Sequence, residues 1–405
     1  MGSRVLSPRS HFFVNDERFI STNRASSTRQ CPWPFRVQQT ELSCNNLENE
    51  RLLVPIAMIS SNETQVAQDH KKQEWGYCMS KKKIGILTGG GDCPGLNAVI
   101  RGVTKCAINE HGMDVIGFHD GFLGLIEKRF SLLSFESVSG ILTQGGTILG
   151  SDNKANPFEF TVTECNEPVK VDVSEQCMEL YEDLGLDALI CVGGDGTMTI
   201  AGLLAEKGAK IVGLPKTIDK DLEGTDITFG FDSARAIATE ALDRVHTTAQ
   251  SHHRVLLVEI MGRNAGWLTL ESGIAGGADV ILIPEIPYDI KEITSMIRKR
   301  SHFGRRFSII AVAEGALPAG GKQTIKRIVE DSPDPVRLGG VSHVIADQLE
   351  KETGIECRVA ILGHVQRGGS PSPSDRLLGT QLAVKAMDLV ATGQFNHMAA
   401  LNGTQ

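Results

Sequence analysis

From Lys83 onward the sequence predicts an α/β fold, a parallel sheet with helices on both faces. Two observations carry that prediction. Short apolar runs alternate with stretches whose apolar residues recur at helical spacing. Clusters rich in Gly and Asp follow those runs, at the strand ends where parallel sheets bind ligands. The bulk composition agrees: 405 residues, 41% apolar and 22% charged, are enough for two domains.

Taken in order, Ile84–Leu87 reads as a buried strand running into Gly89–Gly91. Pro94 opens a helix whose apolar face is Leu96, Val99, Ile100, Val103 and Ala107. Val115–Phe118 is a second strand. A helix around Glu175–Leu184 leads to the strand Leu189–Val192, another helix follows Thr197, and Lys210–Leu214 is the next strand. Asp232 is placed to N-cap a helix carrying Ala234, Ile237, Ala238, Ala241, Leu242 and Val245. Val255–Ile260, Val280–Ile283, Ser308–Ala313 and Arg358–Leu362 are further strands.

Residues 1–78 lack this periodicity and are rich in Ser, Asn, Gln and Arg. A transit-like leader is one reading, since Arg and Ser dominate the start and Asp16 and Glu17 are its acidic residues. A disordered extension, or sequence upstream of a natural start at Met79, accounts for it better. No apolar h-region marks a secretory signal.

A net charge of -8, with no basic run longer than Lys81–Lys83, disfavours nucleic acid and acidic membrane as partners. No stretch approaches the ~18 apolar residues of a membrane span. The nine cysteines form no Cys-x-x-Cys pair, which points to reduced thiols and a cytoplasmic location.

The strand-end clusters carry the chemistry. Thr88–Gly95 is a strand-to-helix glycine turn that lets an anion approach the backbone, and it matches neither a dinucleotide fingerprint nor a Walker A loop. Gly193-Gly-Asp-Gly-Thr197 is more specific: the glycines let the chain fold over a polyphosphate, Asp195 can ligate Mg²⁺ and Thr197 adds a hydroxyl. The same short signature occurs in NAD kinases and diacylglycerol kinases. Pro215–Asp221 discriminates further. Asp219 and Asp221, two apart on an extended loop, point the same way, one as general base and one helping to anchor the metal. Lys216 and Lys220 would supply positive charge to the transferring group. Arg254, Arg263, Arg358 and Arg367 lie at or beside strand ends and match phosphate oxygens, with His364 as a further donor and Glu314 for sugar hydroxyls. Every motif is thereby placed at the ligand-binding end of a sheet.

In this order and spacing, the motifs resemble the 6-phosphofructokinase family over residues 82 to about 403. The resemblance implies two similar Rossmann-like parallel-sheet domains with the active site between them: residues 79–230 plus 367–405 for the phosphoryl donor, residues 231–366 for fructose 6-phosphate. It implies a glycolytic, ATP-dependent enzyme making fructose 1,6-bisphosphate with Mg²⁺. Asp219 is then the base at the sugar 1-hydroxyl, Arg263 stabilises the transferring phosphoryl group, Thr217 assists, and Asp195 binds the metal. Gly90, Lys154, Gly194, Asp195, Gly196 and Thr197 form the donor site. Thr217, Ile218, Asp219, Met261, Gly262, Arg263, Glu314, His364, Val365, Gln366 and Arg367 form the sugar-phosphate site, while Arg254 and Arg358 reach in from a neighbouring subunit of a dimer or tetramer.

The sequence departs from the family in three places. Ser151-Asp-Asn-Lys-Ala155 replaces a donor-site arginine, with Lys154 as its substitute. Gln144 and His246 stand where effector-site arginines usually occur. The chain stops at Gln405, short of a strand and helices expected to complete the donor domain. Donor choice rests on positions 196 and 216. ATP users usually have Gly at both and pyrophosphate users Asp and Lys; Gly196 with Lys216 is mixed. ATP is favoured, because an Asp at 196 would crowd and repel an α-phosphate that Gly leaves room for. A pyrophosphate-dependent transferase, a non-catalytic regulatory paralogue, and an NAD or lipid kinase are the alternatives.

Overall fold

The computed structural model describes residues 36–38, 81–164, 167–328 and 336–403. The remaining expectations for residues 1–78 lie outside the described residues. In chain order the elements are β1 (Arg36–Gln38), β2 (Lys83–Thr88), α1 (Leu96–His111), β3 (Asp114–Phe118), α2 (Phe122–Ile126) and β4 (Phe130–Leu133). Next come β5 (Phe160–Glu164), β6 (Glu167–Val171), α3 (Ser174–Asp183), β7 (Ala188–Gly193), α4 (Asp195–Glu206), β8 (Ile211–Thr217) and β9 (Phe229–Gly230). The second half holds α5 (Phe231–His252), β10 (Val255–Ile260), α6 (Trp267–Ala275), β11 (Val280–Leu282), α7 (Ile290–His302) and β12 (Ser308–Ala313). It closes with β13 (Ile325–Ile328), β14 (Val336–Leu338), α8 (Val341–Thr353), β15 (Cys357–Ile361), α9 (Pro373–Ala391) and β16 (His397–Ala399).

Two parallel sheets result. The first runs β1-β16-β8-β7-β2-β3-β4, with β9 beside β8 and only β4 antiparallel in the main path. The second runs β11-β12-β10-β15 and is parallel throughout. Their central strands are buried at every position, for example Ala188–Gly193 and Ser308–Ala313. That is the pattern of strands covered by helices on both faces. One apolar cluster joins the sheets, running from Ile84, Ile86 and Val192 through Ala234 and Leu242 on α5 to Val258 and Ile260. Helix α9 lies along α1 at close range: a Cβ on Gly102 would come within 2.7 Å of Ala383 Cβ. The final helix is thereby fastened to the first sheet.

Three element boundaries shift from the sequence reading. Helix α1 begins at Leu96 behind a left-handed Gly95 (φ 112°), leaving Pro94 in the preceding turn. Helix α5 begins at Phe231, so Asp232 sits in its first turn rather than at its N-cap, and there it pairs with Arg235. Strand β8 continues through Pro215 to Thr217, because Lys216 and Thr217 pair with Phe229 and Gly230.

Candidate functional site

The donor half is built where the first sheet changes winding direction, between β2 and β7, the position at which such sheets open a ligand crevice. The turns after these strands lie side by side: Gly89 N–H donates to the Val192 carbonyl at 2.9 Å. The Thr197 hydroxyl is packed between them. A Cβ on Gly89 would lie 2.6 Å from it and one on Gly193 2.3 Å, so these positions need glycine for space. Gly194 caps α4 and Asp195 is its first residue, exposed at the helix end that favours anions. Gly196 is exposed, and a Cβ there would meet no atom within 4 Å.

Strand β8 delivers the base loop. The Thr217 hydroxyl accepts from Asp219 N–H at 3.0 Å and donates to the Asp221 carboxylate at 3.1 Å, while Thr228 Oγ1 donates to the Thr217 carbonyl at 2.8 Å. The loop turns at Lys220, in the left-handed region at φ 56°. This corrects the extended-loop picture in which Asp219 and Asp221 simply point the same way; Thr217 organises the pair instead. Ile218 is buried in the core beneath them. Asp219 is half-buried, and its pKa is raised to about 7, first by loss of solvent and then by Asp221, with Arg367, among others, pulling the other way. Asp195 is also raised, by burial first and then by Asp221 and Glu223, against the positive charge of Arg263.

The acceptor half uses the C-terminal ends of β10, β12 and β15. Met261, Gly262 and Arg263 follow β10, and Arg263 N–H donates to Glu314 Oε1 at 3.1 Å just past β12. Gly262 (φ 141°) needs glycine, while Arg263 adopts φ 52° despite its side chain. Non-glycine residues held there concentrate at functional sites. Burial raises the Glu314 pKa. After β15, residues 363–367 form a 3₁₀ turn in which Gln366 is buried and His364 and Val365 are exposed. The Arg367 guanidinium lies against Gly91: a Cβ on that glycine would fall 2.6 Å from Nη1. The halves thereby share a cleft of about 460 Å³, lined by Gly90, Gly91, Asp92, Thr147, Ser151, Asn153, His364 and Arg367.

Several expected residues sit differently. Lys154 is exposed and Asn153 lines the cleft in its place, with Ser151 from the same segment. Arg254 precedes β10 and Arg358 is the second residue of β15, so both stand at the strands' N-terminal ends, opposite Arg263 and His364. They share Glu356 as an ion-pair partner. The expectation that every motif sits at a ligand-binding strand end fails for these two. The lysines of the base loop are engaged elsewhere: buried Lys216 donates to the Gly91 carbonyl at 2.5 Å, with its pKa lowered by burial, and Lys220 pairs with Glu271. Asp92 and Thr147 were not singled out. Asp92 stands inside the glycine turn; Thr147 lines the cleft with its hydroxyl 3.1 Å from that of Thr88, a contact between residues 59 apart in the chain.

No three His, Cys, Asp or Glu side chains cluster to hold a metal among the described residues. A Mg²⁺ ion that takes most ligands from phosphate oxygens and water needs only one or two carboxylates. Exposed Asp195 at the start of α4, with Asp221 and Glu223 near enough to act on its charge, fits that requirement. No helix among the described residues is long and apolar enough to cross a membrane.

Residues 83–390 match the family model described as Phosphofructokinase. The chain is 54% identical over 329 residues to an ATP-dependent 6-phosphofructokinase 2 of Clostridium perfringens, covering 80% of this chain and 89% of that one. It is 48% identical over 323 residues to a pyrophosphate–fructose 6-phosphate 1-phosphotransferase of Amycolatopsis mediterranei, covering 80% and 91%. Among solved structures it superposes on phosphofructokinase from Saccharomyces cerevisiae with a TM-score of 0.65 at 34% identity, covering 77% of this chain and 42% of that longer one.

Proposed function

The chain belongs to the phosphofructokinase family, and we propose that it is an ATP-dependent 6-phosphofructokinase of glycolysis. It moves the γ-phosphoryl group of ATP to the 1-hydroxyl of fructose 6-phosphate, giving fructose 1,6-bisphosphate and ADP. The observation that carries this reading is the Arg367 guanidinium packed against Gly91, which draws the acceptor strand ends and the donor turn onto one cleft.

Asp219 accepts the 1-hydroxyl proton as that oxygen attacks the γ-phosphorus and the bond to the β-phosphate oxygen breaks. A base with pKa about 7 is matched to neutral pH. Arg263, whose charge reaches Asp195, steadies the transferring group with Thr217 beside it. Asp195 would hold Mg²⁺, which when bound offsets charge on the phosphates. The glycine turn with Gly90, together with Gly194, Gly196 and Thr197, cradles the donor, and Asn153 rather than Lys154 borders it. Met261, Gly262, Glu314, His364 and Arg367 take the sugar phosphate, with Ile218, Val365 and Gln366 shaping that wall. Residues 79–230 with 367–405 act as the donor domain and 231–366 as the sugar-phosphate domain. Arg254 and Arg358, remote from this cleft, complete a neighbouring subunit's site in a homodimer or tetramer. The enzyme works in the cytoplasm.

A coupled assay run separately with ATP and with pyrophosphate tests the donor. Turnover with ATP is expected, and turnover with pyrophosphate alone would overturn it. Asp219→Ser should lower kcat by a factor of about 10² to 10⁴ with little change in KM; near-normal turnover would remove Asp219 from the base role.

A further inference from the structure

The residue after the base is fastened across the two sheets. Lys220 follows β8 of the first sheet, whereas Glu271 lies on α6 of the second. The Lys220 ammonium stands 3.0 Å from Glu271 Oε1 and is flanked by the rings of Phe231 and Trp267, at 5.1 and 5.3 Å from their centroids. Glu271 uses its other oxygen to accept from Arg235 Nη1 on α5 at 2.7 Å. Arg235 in turn pairs with Asp232, which accepts from the N-cap Ser372 of α9 at 2.6 Å. Both members of the Lys220–Glu271 pair keep about a quarter of their side-chain exposure. The pair therefore fixes geometry more than it contributes net stability.

Lys220 occupies φ 56°, so the base loop turns at this residue. Releasing the ammonium frees the link that holds the turn against the second sheet.

From this arrangement we infer that Lys220 and Glu271 are positioning residues for Asp219, a cross-sheet latch that holds the base loop in register with the acceptor strand ends. The inference rests on the reading of Asp219 as the base. Glu271 does not line the cleft, and its direct link to the base loop is the ion pair with Lys220. An unlatched loop misplaces the Asp219 carboxylate against the acceptor hydroxyl, which lowers turnover without weakening substrate binding.

The test is a double-mutant cycle on the full chain with Lys220→Met, Glu271→Gln and both together. Each single variant should lower kcat about 3- to 10-fold with KM for fructose 6-phosphate within twofold. The double variant should be no worse than the poorer single. Lys220→Arg, which keeps the cation between the rings, should recover most of kcat. Independent, multiplicative losses, or a Lys220→Arg variant no better than Lys220→Met, would overturn the latch. If a variant folds poorly, active-site titration corrects kcat for the folded fraction, and KM is unaffected by that fraction. Asp219→Ser separates the two readings: near-normal turnover there removes the base, whereas its inactivity beside an additive cycle removes only the latch.

Discussion

The ammonium of Lys216 donates to the main-chain carbonyl of Gly91 at 2.5 Å, joining the end of β8 to the glycine turn after β2. Lys216 is buried, and a Cβ on Gly90 would lie 3.5 Å from its nitrogen. Its bond goes to protein backbone, so at this position the side chain shapes the donor turn. Lys216→Met should leave the Gly91 carbonyl without that donor and loosen the turn. A lost buried hydrogen bond of about 1–3 kcal/mol corresponds to a rise in KM for ATP of roughly 10-fold. Steady-state kinetics with ATP varied would show this; an unchanged KM would mean that the turn holds itself.

If Lys216 shapes the turn, donor selection is expected to fall to position 196, where a Cβ meets nothing within 4 Å. Gly196→Asp should fold normally, with stability changed by less than about 1 kcal/mol. The added carboxylate beside Asp195 should reduce kcat/KM for ATP by roughly 10-fold or more. Equal ATP use by wild type and variant would show that the nucleotide does not pass over this residue.

Activity should depend on pH through Asp219. Its folded pKa of about 7 means that the base is protonated below that pH, so kcat/KM should fall roughly tenfold per pH unit on the acid side. Stability runs in the opposite sense. A carboxyl raised from 3.8 destabilises the fold progressively as pH rises from about 4 to about 7, and the penalty is complete above that. Because Asp219 keeps some solvent contact, the cost is on the order of 2 kcal/mol. Asp219→Asn should therefore be more stable than wild type at pH 8, with the difference gone below pH ~4 as the penalty vanishes. Denaturant midpoints at both pH values measure it.

Gly145 abuts Gly369 across the cleft's edge: a Cβ on Gly145 would fall 2.1 Å from the Gly369 carbonyl oxygen. Backbone cannot yield as a flexible side chain does. Gly145→Ala should cost about 1–3 kcal/mol and displace the segment after Arg367. A denaturation midpoint equal to wild type would show that the two segments are free to separate.

The alternating strands and helices are legible in the sequence, because buried parallel strands need continuous apolar runs and their covering helices need one apolar face. It also located the donor turns, Asp195, Asp219, Arg263 and Glu314, since each stands directly after such a run. What these residues face is settled by contacts between distant parts of the chain. That Arg367 meets Gly91, that Lys216 binds Gly91 and Lys220 binds Glu271, and that Asp221 raises Asp219 depend on contacts between segments far apart in the chain or on a turn at positive φ. Local spacing carries no record of either. The same limit misplaced Arg254 and Arg358: apolar periodicity marks where a strand lies, and the sheet's direction settles which of its ends meets the cleft.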